Sequence, residues 1–340
     1  MKEYAVIHRS TASIYASPEK SYTKDGQLLS SISDEGLFGN LCRVLGEEQG
    51  FVRIMSHYGY IGYISPDDLL FMDAEEKDRW LASELMVVKA LCLDVMSAPS
   101  VQGVVLASLP GGAVLGTLPE EVPSHPGWTQ VLLPDGQQGW VTSVHLMPKR
   151  YGEDYLCADP AHMLQLQQNA SKNQREACGG NDSFSLQQVL DRHFHSSEAE
   201  FRTSLVETAK SYLGVQYRWA GRSTFGIDCS GLVSMCYLQN GVSIYRDASI
   251  VNGHVLQRLT LNWDADGHFL LNSLEFLRPG DALYFPGHVA MYLGDGRYIH
   301  STGKAGSNGV VINSLVPGTS DFRQDLLSSL YAVGTIRAEE

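Results

Sequence analysis

The chain of 340 residues carries 38 acidic and 25 basic side chains, a formal net charge of −13 at pH 7, and 44% of its residues are hydrophobic. That length suits two or three domains with proper cores, and the acidic balance argues against nucleic-acid partners and against static adhesion to anionic wall polymers or membranes. No run approaches a membrane span, and Met1 to Arg9 enters the first strand pattern without an apolar signal region.

Two stretches of the N-terminal half resemble one another. Ile14-Tyr15-Ala16-Ser17-Pro18 parallels Val95-Met96-Ser97-Ala98-Pro99, Gly50-Phe51-Val52-Arg53-Ile54 parallels Gly127-Trp128-Thr129-Gln130-Val131, and Gly62-Tyr63-Ile64-Ser65 parallels Gly139-Trp140-Val141-Thr142. A period of about 77 residues is too long for a solenoid and suits two small domains. Short alternating strands with Gly, Pro and Asp turns indicate small β-barrels, at residues 1–80 and 81–148. The recurring Gly-aromatic-β-branched ending resembles bacterial SH3-type domains.

Residues 149–197 are rich in Gln, Asn, Ser and charge and read as a linker, with possible helices at Met163 to Gln168 and Phe184 to Phe194. His193-Phe194-His195 lies on a polar stretch and reads as solvated side chains, so no metal is called for. Ser196-Ser197-Glu198 starts a helix whose apolar face runs Phe201, Leu205, Val206, Ala209 and Leu213, with Gly214 as its stop.

Asp228-Cys229-Ser230-Gly231 opens the next helical run, which ends at Asn240-Gly241. In the first turn, unpaired amides and the helix dipole favour an anion, so the Cys229 thiol is expected to be lowered towards neutrality. Cys236, seven residues on, reads as a buried structural cysteine. With Cys229 free, the other five of six cysteines form no even disulfide framework. Reduced thiols and a cytoplasmic protein are therefore expected; a secreted or cell-surface one is the alternative where a signal peptide has been removed.

Downstream, Leu277 to Phe285 reads as a turn feeding a strand, Pro286-Gly287 breaks it, and strands at His288 to Leu293 and Arg297 to Ser301 flank Gly294-Asp295-Gly296. A two-residue loop there would place His300 opposite Met291 and turn the two histidines to opposite faces. A three-residue loop places His300 opposite Ala290 and diagonal to His288 on one face, at roughly 7–8 Å between backbones, a gap two imidazoles can bridge.

These segments, with Leu213-Gly214-Val215-Gln216-Tyr217-Arg218-Trp219-Ala220-Gly221 and Pro279-Gly280-Asp281, resemble the NlpC/P60 family of papain-like cysteine peptidases over residues 198–340. The resemblance implies an α+β papain-like domain after the two SH3-like barrels. It makes Cys229 the nucleophile, His288 the general base and His300 the group that orients His288, with the Cys229 backbone amide as an oxyanion donor and no cofactor. Thiolate attack on an amide, protonation of the leaving amine by His288 and hydrolysis of the acyl-enzyme follow.

The order of domains resembles γ-D-glutamyl-L-diamino-acid endopeptidases of murein peptide recycling. This implies substrates with a free N-terminal L-alanine, joined through γ-D-glutamate to meso-diaminopimelate or lysine, and an acidic group to meet the amine. Asp228, Ser230, Asp247, Tyr217 and Trp219 match substrate-binding positions, and from the first barrel Glu35 and Tyr60 are the candidates for the amine-binding carboxylate and tyrosine. The alternatives are an autolysin acting on polymeric wall and a noncatalytic wall-peptide binding protein. A monomer is expected.

Overall fold

A computed structural model describes residues 2–336 apart from 20, 23, 30, 119–124, 173–176, 179–196 and 253–254. His193-Phe194-His195 and the helix expected at Phe184 to Phe194 lie outside the described residues. The chain divides into two compact units: one holds Met1–Met163 together with Trp219–Phe225, the other Leu164–Arg218 and Gly226–Glu340.

In the N-terminal unit the first sheet is built from β1 (Tyr4–Ile7), β2 (Thr11–Tyr15), β3 (Ile32–Leu37), β4 (Leu41–Glu48), β5 (Phe51–Ser56), β6 (Ile61–Ile64) and β7 (Leu69–Met72). Its order is β3-β2-β6-β5-β4-β1-β7. After helix α1 (Ala74–Ala82), the second sheet follows with β8 (Glu84–Val88), β9 (Cys92–Met96), β10 (Val105–Pro110), β11 (Val114–Thr117), β12 (Trp128–Leu132), β13 (Gln138–Thr142) and β14 (Leu146–Pro148). Its order is β10-β9-β13-β12-β11-β8-β14, the first order moved on by seven strands. The repeat read from the sequence is thus a repeat of topology. Among the described residues the pairing closes neither sheet into the barrel that was expected.

Alternation makes these strands. Along β2, Ala12 and Ile14 are buried while Thr11, Ser13 and Tyr15 are half-buried. Ala5, Ile7, Ala12, Ile14, Val52, Ile54 and Ile64 form the first core. Phe38, from the turn after β3, instead joins the second core with Val88, Leu109 and Leu115. Gly39 lets the two sheets meet: at φ +78° it is left-handed, and a Cβ there would stand 2.1 Å from the Val114 carbonyl oxygen.

Helix α2 (Pro160–Lys172), which belongs to the C-terminal unit from Leu164 on, contains the Met163 to Gln168 stretch expected to be helical. Helix α3 (Glu198–Ser211) is capped by Ser197, whose hydroxyl accepts the Glu200 amide. Its buried face holds Phe201, Leu205 and Ala209 as expected, but Leu213 is exposed beyond the helix end and Arg202 is buried in its place. A buried arginine needs partners on every side. Arg202 donates to Glu198, Asp281, Thr335 and the carbonyls of Pro279 and Ile336.

Helix α4 (Cys229–Gln239) is buried along its whole length and ends at Asn240 and Gly241, the latter at φ +86°. It packs on two strands of a six-stranded sheet, β17 and β18. That sheet comprises β15 (Gln257–Arg258), β16 (Ala282–Phe285), β17 (His288–Gly294), β18 (Arg297–Thr302), β19 (Gly309–Ser314) and β20 (Ala332–Thr335) in the order β15-β20-β16-β17-β18-β19. Short helix α5 (Gln324–Ser329) precedes β20. Among the described residues no helix is long and apolar enough to cross a membrane.

Candidate active site

Cys229 is the first residue of α4. Asp228 caps that helix, its Oδ1 accepting the Gly231 amide at 2.5 Å and the Ser230 hydroxyl at 3.2 Å. The same carboxylate meets buried Arg246, whose Nη2 donates to Oδ2 at 3.1 Å and Nη1 to Oδ1 at 3.3 Å, while Nη1 also donates to Ser230 Oγ at 2.7 Å. Asp228 and Ser230, expected to touch substrate, are engaged at the start of α4. Arg246 was not singled out by sequence reading; its neighbour Asp247, chosen instead, accepts the Tyr245 hydroxyl at 3.1 Å.

His288 opens β17, directly after a two-residue turn in which Gly287 takes φ +68° and Phe285 pairs with His288. His300 lies in the middle of β18 and is fully buried. The hairpin between these strands combines both loop readings. Asp295 and Gly296, at φ +51° and +71°, make a tight two-residue turn with Gly294 opposite Arg297. A bulge follows at Leu293, after which Tyr292 pairs with Tyr298 and Met291 with Ile299. Continued, this register sets His300 opposite Ala290, on the face of His288. The outcome matches the expectation, but an extra residue in the strand produces it rather than a third residue in the loop.

Nε2 of His288 lies 2.7 Å from Nδ1 of His300, and Nε2 of His300 lies 2.9 Å from Oδ1 of Asn313 on β19. Asn313 in turn donates from Nδ2 to the Asp321 carbonyl at 3.0 Å. The Val289 backbone amide reaches the Cys229 sulfur, which ties Cys229 to the residue after His288. Asn313 was missed by sequence reading. It sits diagonal to His300 across β18 and β19, where His300 pairs with Val311.

Burial governs the charges. It pushes the Cys229 thiol up to about 12, helped by the Asp228 carboxylate, although the Val289 and Ser230 amides and Arg246 pull the other way. It pushes His288 down to about 3, with the His300 and Arg323 charges adding to the fall, and His300 down to about 4. Burial thus works against the lowered thiol expected from the helix start and favours a neutral thiol beside a neutral imidazole. Tyr217, half-buried against Gly303, is raised by burial and then by the nearby Cys229 and Asp228.

The remaining expected site residues belong to the N-terminal unit. Glu35 Oε2 accepts the backbone amides of Arg222 and Ser223, each at 2.9 Å, so its carboxylate holds the 219–225 segment. Trp219 is 68% exposed and its indole donates to the Ile32 carbonyl at 3.0 Å. Tyr60 is buried, its hydroxyl 3.4 Å from the Ser33 carbonyl. Tyr58, by contrast, donates its hydroxyl to Asp34, and the Arg222 guanidinium lies over its ring at 4.0 Å. The five cysteines whose side chains are described are free thiols.

Residues 214–322 match the family model of the NlpC/P60 family. Dipeptidyl-peptidase 6 of Lysinibacillus sphaericus is 31% identical over 333 residues, covering 98% of this chain and 99% of that protein. A gamma-D-glutamyl-L-lysine dipeptidyl-peptidase of Bacillus cereus is 34% identical over 125 residues, 33% of each chain. Among solved structures, an NlpC/P60 family protein from Bacillus cereus has the same fold, with a TM-score of 0.63 at 20% identity over 98% of this chain and 99% of that one.

Proposed function

Because the chain belongs to the NlpC/P60 family of cysteine peptidases, we propose that it cleaves the amide between γ-D-glutamate and an L-diamino acid in murein-derived peptides with a free N-terminal L-alanine. The similarity to a dipeptidyl-peptidase along almost the full length of both chains carries this reading. The name of the Bacillus cereus relative supports the type of bond. Two SH3-like modules ahead of the peptidase complete the proposed plan.

The proposed chemistry starts from the neutral pair. As the Cys229 sulfur attacks the scissile carbonyl, its proton passes to His288, whose Nε2 is engaged with His300. The oxyanion is met by the Cys229 amide at the first position of α4. The His288 imidazolium then protonates the departing amine as the carbon–nitrogen bond breaks, leaving a thioester. Water attacks the thioester with His288 again as base, and the thiol is regenerated.

The need for a free amine rests on the resemblance, with Glu35 and Tyr60 as the residues carried over. Since the Glu35 carboxylate already accepts two amides while Asp34 holds the Tyr58 hydroxyl, Asp34→Asn and Glu35→Gln are to be compared. A cytoplasmic setting is proposed from the free thiols.

The experiment incubates the protein, and Cys229→Ala, with L-Ala-γ-D-Glu-meso-diaminopimelate, its lysine counterpart, their N-acetylated forms and whole sacculi, and follows released L-Ala-D-Glu by mass spectrometry. Release from the free-amine peptides alone, absent in Cys229→Ala, is the expected result. Cleavage of sacculi or blocked peptides would replace this reading with a lytic enzyme of polymeric wall, and no cleavage would favour a binding protein.

A further inference from the structure

We propose that Asn313 is a positioning residue that fixes the direction in which the two histidines can move a proton, and that the backbone carbonyl of Asp321 fixes Asn313. This rests on the reading of Cys229, His288 and His300 as the reacting groups. One end of this chain of hydrogen bonds has no choice of direction. A carbonyl has no proton to give, so the amide 3.0 Å away can stand only one way round, with Nδ2 donating to Asp321. Oδ1 then faces His300 Nε2 at 2.9 Å and requires that nitrogen to carry its hydrogen. A neutral His300 protonated at Nε2 has a bare Nδ1. That lone pair meets His288 Nε2 at 2.7 Å, so His288 too is protonated at Nε2.

His288 is left with Nδ1 as its basic atom, the nitrogen not engaged with His300. The Cys229 proton has one place to go, and the imidazolium that forms keeps its Nε2–H on His300 without passing charge on. The anchor is itself held: the Asp321 carbonyl also accepts the Ser314 amide at 3.2 Å, and its carboxylate pairs with Arg297 at 2.7 Å. The other groups around the two rings are Phe285 on β16, Tyr298 on β18, and the Arg323–Asp325 ion pair at the start of α5, whose charges act on both imidazoles in opposite senses.

The test uses the full chain, with Asn313→Leu, Asn313→Asp and Cys229→Ala, assayed on the free-amine tripeptides across pH. Histidine nitrogen NMR, which needs no substrate, reads the tautomers. The wild-type protein is expected to show Nε2–H on both histidines. Asn313→Leu is expected to mix the tautomers and lower kcat roughly 10- to 100-fold with KM little changed, the range set by partners that orient a histidine from behind. In Asn313→Asp the carboxylate favours a charged His300, whose Nδ1–H turns the His288 proton towards Cys229. Activity then falls at acid pH and recovers as pH rises, moving the acid limb up by about 1–3 units. A residue that only supported the fold would lower Tm without moving tautomers or pH profile. A wild-type spectrum with Nδ1–H on either ring, or both variants with unchanged tautomers and profile, overturns the proposal, and the spectra decide it even where the aspartate variant fails to fold. Hydrolysis surviving in Cys229→Ala overturns the catalytic reading instead.

Discussion

Arg246→Met is expected to destabilise the C-terminal unit by about 3 kcal/mol, and Asp228→Asn in the same chain to restore most of that loss. Removing one partner of a buried ion pair typically costs about 3–5 kcal/mol, because the other charge is left without its partner. Here Asp228 would keep two partners, the Gly231 amide at 2.5 Å and the Ser230 hydroxyl at 3.2 Å, which argues for the lower end. Asparagine caps a helix about as well as aspartate, so the double variant loses the charge but keeps the cap. A coupling of about 2 kcal/mol between the sites is therefore expected, well beyond the non-additivity of about 0.5 kcal/mol seen for distant sites. Since two units need not unfold together, the readout must belong to one of them. Hydrogen exchange of the peptide spanning residues 229–239, followed through a urea titration, reports α4 alone. A loss below about 1 kcal/mol in Arg246→Met, or a double variant no more stable than the single one, would refute the argument that Arg246 exists to neutralise the cap.

Three further outcomes follow from the geometry. With the thiol at about 12 and His288 at about 3, alkylation of Cys229 by iodoacetamide is expected to be slow at neutral pH and still rising in alkaline buffer; a fast rate already level in mild acid would mean a resting ion pair. His57 is buried, stacked on Tyr151 with ring centroids 5.2 Å apart and with its Nδ1 3.9 Å from Glu153, and burial, then Lys149 and Arg222, hold its imidazole well below its ordinary value. The unfolded chain thus takes up a proton that the folded one refuses. Stability should fall as pH drops below about 6.5, by up to roughly 1.4 kcal/mol per unit from this group, and His57→Phe should flatten that slope in urea titrations of the N-terminal unit; an unchanged slope would show His57 protonated when folded. Deleting Leu293 removes the bulge yet leaves His300 opposite Ala290, so activity is expected within about tenfold of wild type, whereas deleting Ile299 turns His300 to the other face and should lower kcat roughly a thousandfold or more. Equal activities in the two deletions would disprove the register argument.

Helix α4 was legible because its signals are local: a cap at Asp228, a continuous apolar run, and an Asn-Gly stop. The face shared by His288 and His300 was left open by the sequence, since a two-residue turn alone would separate them, and the bulge that brings them together was not legible because a two-residue turn with a bulge and a three-residue loop use the same residues. Asn313 was hidden for a different reason. Residues 303–308 separate β18 from β19, and a connection of that length leaves the register open until tertiary packing chooses it. Arg202 and Arg246 were not singled out because most of their partners are distant in sequence. The lowered thiol failed because a helix dipole worth about 0.3–1 kcal/mol competes with near-complete desolvation, which wins.

The two N-terminal sheets agree in more than strand order. Each has a register shift at the same point of its second strand, between Ile14 and Tyr15 in one and between Val95 and Met96 in the other. The two sheets thus repeat one backbone plan, register shift included. Each position in one copy has a counterpart in the other that serves as an inbuilt control. Asp34 lies opposite Ile14 and Glu35 opposite Ser13; at the equivalent places, opposite Val95 and Asp94, stand Ala107 and Ser108. The first sheet carries a pair of carboxylates where the second, built on the same plan, has Ala107 and Ser108, so the second sheet names the substitutions, Asp34→Ala and Glu35→Ser, that remove the pair from the first.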